Sequence, residues 1–237
     1  MNDLDGNKTA NNQSTQAPGP IITDELKKEA AESVNQVKEI IKNVDIKEEA
    51  KNTQGFFKDM IANPIGKIKA ISGNSAEFFR VCVVILAIWV AAEFLRTFLR
   101  YIGNSWTFGN MFSNMFSIVM STISPAAGVL VMSAIAYFLL KNKVNRITPV
   151  VVVIIIANIP RAVSSVLGIL PVFAPGSISI VSPINAFLYA MSVILVYFGL
   201  KALAEEHDDE LFFKKYIMIQ GTYFAVSFVA GFLSIRI

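Results

Sequence analysis

The chain has 237 residues, of which 54% are hydrophobic and only 16% are charged. A soluble globular domain is typically about 25% charged. This composition excludes an ordinary soluble enzyme, a disordered chain and a nucleic-acid-binding protein, and it is typical of an integral membrane protein. The net charge of +3 is unevenly placed, because no charged residue occurs between residues 162 and 200.

The N-terminal region is polar and contains two predicted segments. Residues 1–22 are rich in Asn, Gln, Thr, Gly and Pro, which predicts a disordered tail. In residues 23–52, apolar positions recur at spacings of three and four, which predicts an amphipathic cytoplasmic helix. This helix either lies solvated near the membrane or docks a partner as a short coiled coil.

Residues 53–77 form a juxtamembrane segment in which aromatic and aliphatic residues alternate with lysines. Pro64 divides it into two short helices, because proline lacks an N–H and clashes with the preceding turn. The pattern favours the lipid headgroup layer, and the alternative is packing on the protein's own cytoplasmic surface. The predicted interfacial anchors are Phe56, Phe57, Lys58, Lys67 and Lys69.

The remainder, residues 78–237, is predicted to be a transmembrane domain. Most of its hydrophobic segments reach the roughly 20 residues that a 30 Å hydrocarbon core requires, and in lipid they must be helices. Residues 106–119 form either an interfacial helix or the outer half of a long second span. The fold class is therefore all-α, a polytopic membrane protein with five transmembrane helices. The predicted spans are about 78–99, 120–140, 149–170, 183–203 and 211–233.

Basic residues predict the orientation of these spans. Ten lie on the side of the N-terminus and three on the other side. The positive-inside rule therefore places the N-terminus in the cytoplasm and the C-terminus outside. The Lys-, Asn- and Ile-rich composition is typical of a low-GC bacterium, so we expect a bacterial cell membrane.

Glu93 and Arg161 are ionisable residues inside predicted spans. An intramembrane charge costs roughly 3 kcal/mol or more and marks a functional candidate. Their predicted depths differ by roughly 4–5 Å at 1.5 Å per residue, so we expect a Glu93–Arg161 pair. The pair either fixes helix register or belongs to a substrate or ion site. Pro160, beside Asn158, cannot donate to the preceding turn and predicts a kink in the third span.

No catalytic residue, metal site or cofactor site is predicted, and we expect no enzymatic activity. Cys82 is the single cysteine, and His207, the single histidine, lies in an acidic loop. No span contains Asp, and the sequence has no phosphate-binding loop and no serine-hydrolase motif. The expected partners are the lipid bilayer and an unidentified membrane or cytoplasmic protein. Small residues at four-residue spacing, such as Gly221 and Ala225, let helices approach closely, either within the bundle or in a homo-oligomer.

Three sequence features resemble the Yip-domain family of five-span membrane proteins, over roughly residues 55–235. They are the juxtamembrane FFKDMIANPIGKIKAIS, the Leu170-Pro171 exit of span three, and YAMSVILVYFGLKAL from Tyr189 to Leu203. The acidic-Tyr-Gly-Pro motif of eukaryotic trafficking members is absent, so the resemblance is to a prokaryotic-type member.

The resemblance implies a non-enzymatic membrane scaffold or partner-binding component. The alternative is a small transporter or channel subunit with a site around Asn158, Arg161 and Glu93.

The topology can be tested by single-cysteine labelling in a Cys82→Ser background. We expect a cysteine at Ser179 to react with an impermeant thiol reagent from outside. We expect a cysteine at Asp208 to react only from the cytoplasm. Labelling of both positions from the same side, or the reverse pattern, would contradict the five-span topology.

Overall fold

The structure is a computed structural model that describes residues 28, 31–32, 35, 55–56, 58–60, 62–73, 75–102 and 108–236. These residues are almost entirely helical, and no strand occurs among them. The predicted tail lies outside this part of the chain. Of the predicted amphipathic helix only four residues are described, and they are helical and exposed.

From Pro64 onward, the described residues form eight α-helices and one short 3-10 turn. In order they are α1 (Pro64–Gly73), α2 (Ser75–Ile102), α3 (Phe108–Leu140), α4 (Ile147–Ala157), α5 (Ile159–Leu167), α6 (Leu170–Phe173), the 3-10 turn (Pro175–Ser177), α7 (Ile178–Leu203) and α8 (Asp209–Arg236).

Helix α4 is the centre of the fold. Its sequence, ITPVVVVIIIA, is apolar on every face, as in a helix that is enclosed by protein or by lipid. Helices α1, α2, α3 and α7 all pack against it. Val150 and residues 152–157 are buried, so the hydrophobic core of the bundle is arranged around this one helix.

The third predicted span is bent where α4 gives way to α5. The two helices meet at Asn158 with a bend of 40°. Pro160 lies in the first turn of α5, where its missing N–H is least costly. The buried Asn158 donates its side-chain amide to the carbonyl of Ile154 at 2.8 Å, which supplies a hydrogen bond inside the break. The chain therefore bends two residues before Pro160, close to where the sequence predicts a kink.

Among the described residues, three helices are long and apolar enough to cross a membrane, or four segments if the bent pair counts as one span. The three are Phe78–Ile102, Asn110–Leu140 and Pro175–Leu203. The second span begins about ten residues earlier than residue 120, because α3 continues through Pro125 without interruption. At 1.5 Å per residue its 33 residues extend about 50 Å, well beyond a 30 Å hydrocarbon core. The fourth span likewise begins before Pro183, which lies inside α7.

The fifth predicted span falls within α8, a single helix of 28 residues. Helix α8 is not among the helices of the described residues that are apolar enough over their length to cross a membrane. Its sequence is diluted by Gln220, Gly221 and Thr222 and begins with several charged residues. The described residues thus support three to four spans, and the five-span bundle stays a prediction.

The juxtamembrane segment packs on protein. Asn63 accepts a hydrogen bond from the N–H of Gly66 at 2.9 Å and caps α1, with Pro64 at the first helical position, so the predicted break occurs there. Phe56, Ile68 and Ile71 are each 5% exposed or less and belong to the same core cluster as α4.

This burial corrects the interfacial role predicted for Phe56. Its ring lies 5.9 Å from that of Phe78, and the Lys67 ammonium lies over both rings, 5.5 Å from the Phe56 centroid. Lys67 also pairs with Asp59 at 2.9 Å, and Lys69 lies over the Phe198 ring. The apolar face therefore has a protein partner, whereas headgroup contact by Lys58, Lys67 and Lys69 stays a prediction. Phe57 lies outside the described residues.

One carboxylate joins separate elements at the same end of the bundle. Glu205 adopts a left-handed conformation (φ 47°) that ends α7 and turns the chain toward α8. The next residue, Glu206, accepts a hydrogen bond from Lys215 of α8 at 3.2 Å and lies 3.8 Å from Lys143. The Lys215 hydrogen bond lowers the pKa of the Glu206 carboxyl, which keeps it ionised at neutral pH.

The close approach of α7 to the core depends on Gly199. A Cβ at this position would lie 2.5 Å from Cγ1 of Val153 and 3.1 Å from Cγ1 of Ile68. We expect Gly199→Ala to lower the thermal stability of the purified protein. Overpacking of about 1–3 kcal/mol should exceed the gain of about 1 kcal/mol in helix propensity.

Gly221→Ala is the matched control. No described heavy atom lies within 4 Å of a Cβ at Gly221, so only the helix-propensity gain should remain. Equal shifts in melting temperature for the two variants would contradict the tight contact of α7 with α1 and α4.

Candidate functional site

A polar cavity of about 300 Å³ lies beside the break between α4 and α5. Its walls come from α2, α3, α5, α8 and the break itself. Asn158, Arg161 and Glu93, the three residues of the predicted transport site, all line it. The structure therefore brings these predicted residues together around one space.

Helical periodicity explains how two helices present polar side chains to this cavity. On α2, Trp89, Glu93 and Arg96 are separated by four and three residues, so they share one face. Arg161 and Ser165 are separated by four residues on α5, and Asn158 precedes Arg161 by three. Because α2 and α5 pack against each other, these two faces meet.

A chain of hydrogen bonds joins the two helices. The Trp89 Nε1–H donates to the Ser165 hydroxyl at 3.0 Å, and that hydroxyl donates to Glu93 Oε1 at 2.5 Å. Arg96 Nη2 lies 2.6 Å from Glu93 Oε2. Both carboxylate oxygens of Glu93 thus have partners, and its side chain is only 12% exposed. These partners are required because an unpaired buried carboxylate strongly raises the free energy of the folded state.

The predicted Glu93–Arg161 ion pair is corrected by this geometry. Glu93 pairs with Arg96, one turn along its own helix, where side chains three residues apart always meet. Arg161 instead lies with its guanidinium carbon 4.1 Å from the ring centroid of Tyr189 on α7. Its Nε is shielded from solvent and has no hydrogen-bond partner among the described residues. Glu93 and Arg161 share the cavity without contacting each other as an ion pair.

Helix α3 leaves room for the cavity by presenting small side chains. Ser121, Ser124 and Gly128 lie at spacings of three and four on one face, as in close helix contacts in membranes. The Tyr223 hydroxyl of α8 lies so near that a Cβ at Gly128 would be 2.9 Å from it. Gly128 therefore allows α8 to close this side of the cavity.

A second glycine makes room for Arg96. A Cβ at Gly168 would lie 2.9 Å from Arg96 Cδ and 3.3 Å from the carbonyl oxygen of Ser164. The arginine stem thus passes directly over the end of α5. This position lets Arg96, which is 41% exposed, reach back to Glu93.

The arrangement offers hydroxyl, guanidinium and amide groups to a ligand around one space. Ser165 donates to a carboxylate, that of Glu93, and no spacing in the sequence predicts this contact. A serine–carboxylate contact without a histidine is not a catalytic triad, and His207 lies in the turn between α7 and α8. No cluster of three or more metal-ligating His, Cys, Asp or Glu side chains occurs in the described part of the chain.

Sequence reasoning missed Arg96, Ser165 and Trp89 as parts of this site. Arg96 shares a helical face with Glu93, three residues away on α2. The signal that identifies them is the shared spacing of three and four with Glu93 and Arg161.

No protein-family profile, no curated protein and no solved structure matches the chain.

The pairing of Glu93 can be tested by double-mutant cycles on thermal stability. We expect Glu93→Gln and Arg96→Met to be non-additive by about 1 kcal/mol, because each removes the other's partner in a half-buried pair. The cycle of Glu93→Gln with Arg161→Met should give a smaller coupling, since these side chains do not pair. A Glu93–Arg161 coupling larger than the Glu93–Arg96 coupling would restore the pair predicted from sequence.

Proposed function

We propose that this protein is an integral membrane protein that takes up a small polar solute within its helix bundle, as a small transporter or channel subunit. The polar cavity at the break between α4 and α5 carries this proposal. Its volume of about 300 Å³ lies at the lower end of the range of small-molecule sites, roughly 300–1,000 Å³.

The depth of the break supports the proposal. Helix α4 has 11 residues, so Asn158 lies about 16 Å from its start at 1.5 Å per residue. That distance is about half of a 30 Å hydrocarbon core. Transporters commonly bind their substrates near the membrane midplane, where a helix is broken and its end groups face a cavity.

The chemistry of the lining also supports it. Apolar side chains are sufficient for close packing between helices, as they are in α4. Around the cavity the bundle instead places three charged side chains, four serines and an asparagine. Polar and charged groups at membrane depth are costly, and they commonly mark pathways for solutes or ions.

A scaffold is the second candidate, and the docking of α1 favours it. Ile68 is fully buried and lies against Gly199 of α7 near Val153 of α4. A partner held by the N-terminal segment would therefore be attached firmly to the centre of the bundle. The resemblance to Yip-domain proteins implies the same kind of role. A scaffold, however, requires no water-filled cavity.

Water access to the cavity is tested by cysteine labelling in reconstituted vesicles. Ser164 lines the cavity, whereas its neighbour Val163 is 40% exposed on the outer surface of the bundle. We expect Ser164→Cys, in a Cys82→Ser background, to react with a charged methanethiosulfonate reagent. We expect it to react at least about tenfold faster than Val163→Cys, because the thiolate forms only where water reaches the sulfur.

Val163→Cys is the matched control, since it lies at nearly the same depth on the same helix. If Ser164→Cys reacts no faster than Val163→Cys, the cavity is closed to water and the transport proposal is wrong. The scaffold would then be the better account of the bundle.

A further inference from the structure

We infer that the cavity binds an oxyanion, a carboxylate or phosphate group, and that Arg161 is the residue that binds it. The inference rests on the proposed function in one respect, namely that the cavity takes up a ligand. It goes beyond that function by naming the chemical class of the ligand and the side chain that recognises it.

The charge balance of the cavity is the first argument. Its lining contains one carboxylate, Glu93, and two guanidinium groups, on Arg96 and Arg161. Glu93 is neutralised by Arg96 at 2.6 Å. One positive charge, on Arg161, is therefore left without a counter-charge in the cavity wall.

The unpartnered Nε of Arg161 is the second argument. A guanidinium carries five N–H donors, and the buried Nε of Arg161 has no hydrogen-bond partner among the described residues. The Tyr189 ring, 4.1 Å away, attracts the cation but accepts no conventional hydrogen bond in its place. A ligand with two adjacent oxygens matches the planar fork of arginine and supplies both the missing charge and the missing acceptor.

The neighbouring groups favour an anion over a cation. The Ser164 hydroxyl lies three residues beyond Arg161 on α5 and also lines the cavity, so it can donate to the same ligand. Glu93 is the only carboxylate in the lining, and both of its oxygens are engaged by Ser165 and Arg96. A cationic ligand would have to displace one of these bonds and would face Arg161 directly.

The same oxyanion chemistry occurs in soluble anions and in lipid headgroups, and the two sources can be separated. We propose to measure thermal unfolding of the full-length protein in an uncharged detergent at constant ionic strength. One series adds inorganic phosphate or acetate. A second series adds phosphatidylglycerol, with uncharged diacylglycerol as its comparator, and a third replaces sodium by choline.

We expect the wild-type melting temperature to rise with phosphate or acetate, or with phosphatidylglycerol but not diacylglycerol. The cation exchange should have no effect. Arg161→Gln should weaken the apparent affinity for the stabilising anion by about 10-fold to 100-fold, the value of a charge-assisted hydrogen-bonded contact. Arg100→Gln, which removes an exposed arginine at the end of α2, should leave the affinity unchanged.

Arg161→Lys keeps the positive charge but loses the planar guanidinium fork, and it replaces Arg161→Gln in this test if that variant does not fold. We expect Arg161→Lys to bind the anion more weakly than the wild type. The inference is overturned if no anion stabilises the wild type, or if Arg161→Gln and Arg161→Lys respond as the wild type does.

Failure of this inference is distinguishable from failure of the proposed function. A reactive Ser164→Cys without an anion effect leaves a water-accessible cavity whose ligand is not an anion. An unreactive Ser164→Cys with stabilisation by phosphatidylglycerol that depends on Arg161 leaves a lipid-headgroup site and no solute pathway.

Discussion

The missing N–H of Pro160 shapes the centre of this molecule. Helix α4 is packed on all sides within the bundle, and its continuation breaks at Asn158. The side-chain amide of Asn158 donates to the Ile154 carbonyl, which also accepts the backbone N–H of Asn158. The chain then leaves at 40°, and polar side chains of α5 line a cavity together with side chains of α2 and α3. The cavity lies beside this change of direction.

The charges around the cavity follow from helical register. Two guanidinium groups lie near one carboxylate, and the carboxylate takes the arginine on its own helix. Arg96 lies three residues from Glu93 and meets it whatever the neighbouring helices do. Arg161 is on a different helix, and its position depends on how α5 rotates and tilts after the break. Its nearest partner is an aromatic ring, so the cation is stabilised while its Nε–H stays available.

The juxtamembrane segment packs against the same central helix, α4. Ile68 of α1 and Val153 of α4 both lie within 3.1 Å of a Cβ position that Gly199 leaves empty. Val153 precedes Asn158 by five residues, so the contact that anchors α1 is little more than one turn from the break. Displacement of α1 would therefore act on the helix that supports the cavity. This connection places α1 against the helix that supports the cavity.

The sequence by itself determined the features that depend on neighbours along one helix. Composition predicts membrane helices, Pro64 and Pro160 predict breaks, and the rarity of charges within the spans marks Glu93 and Arg161. Each of these signals acts within a turn or two of chain, where spacing alone fixes which groups meet.

Contacts across helices depend on the tertiary structure. It placed Ser165 against Glu93, packed Phe56 against Phe78, and left Arg161 over Tyr189. It also showed that α3 continues through Pro125 and that Gly128, Gly168 and Gly199 are positions of close approach. Such contacts depend on the distance and rotation between elements far apart in sequence. Periodicity shows which face of a helix is polar, but not which face of another helix it meets.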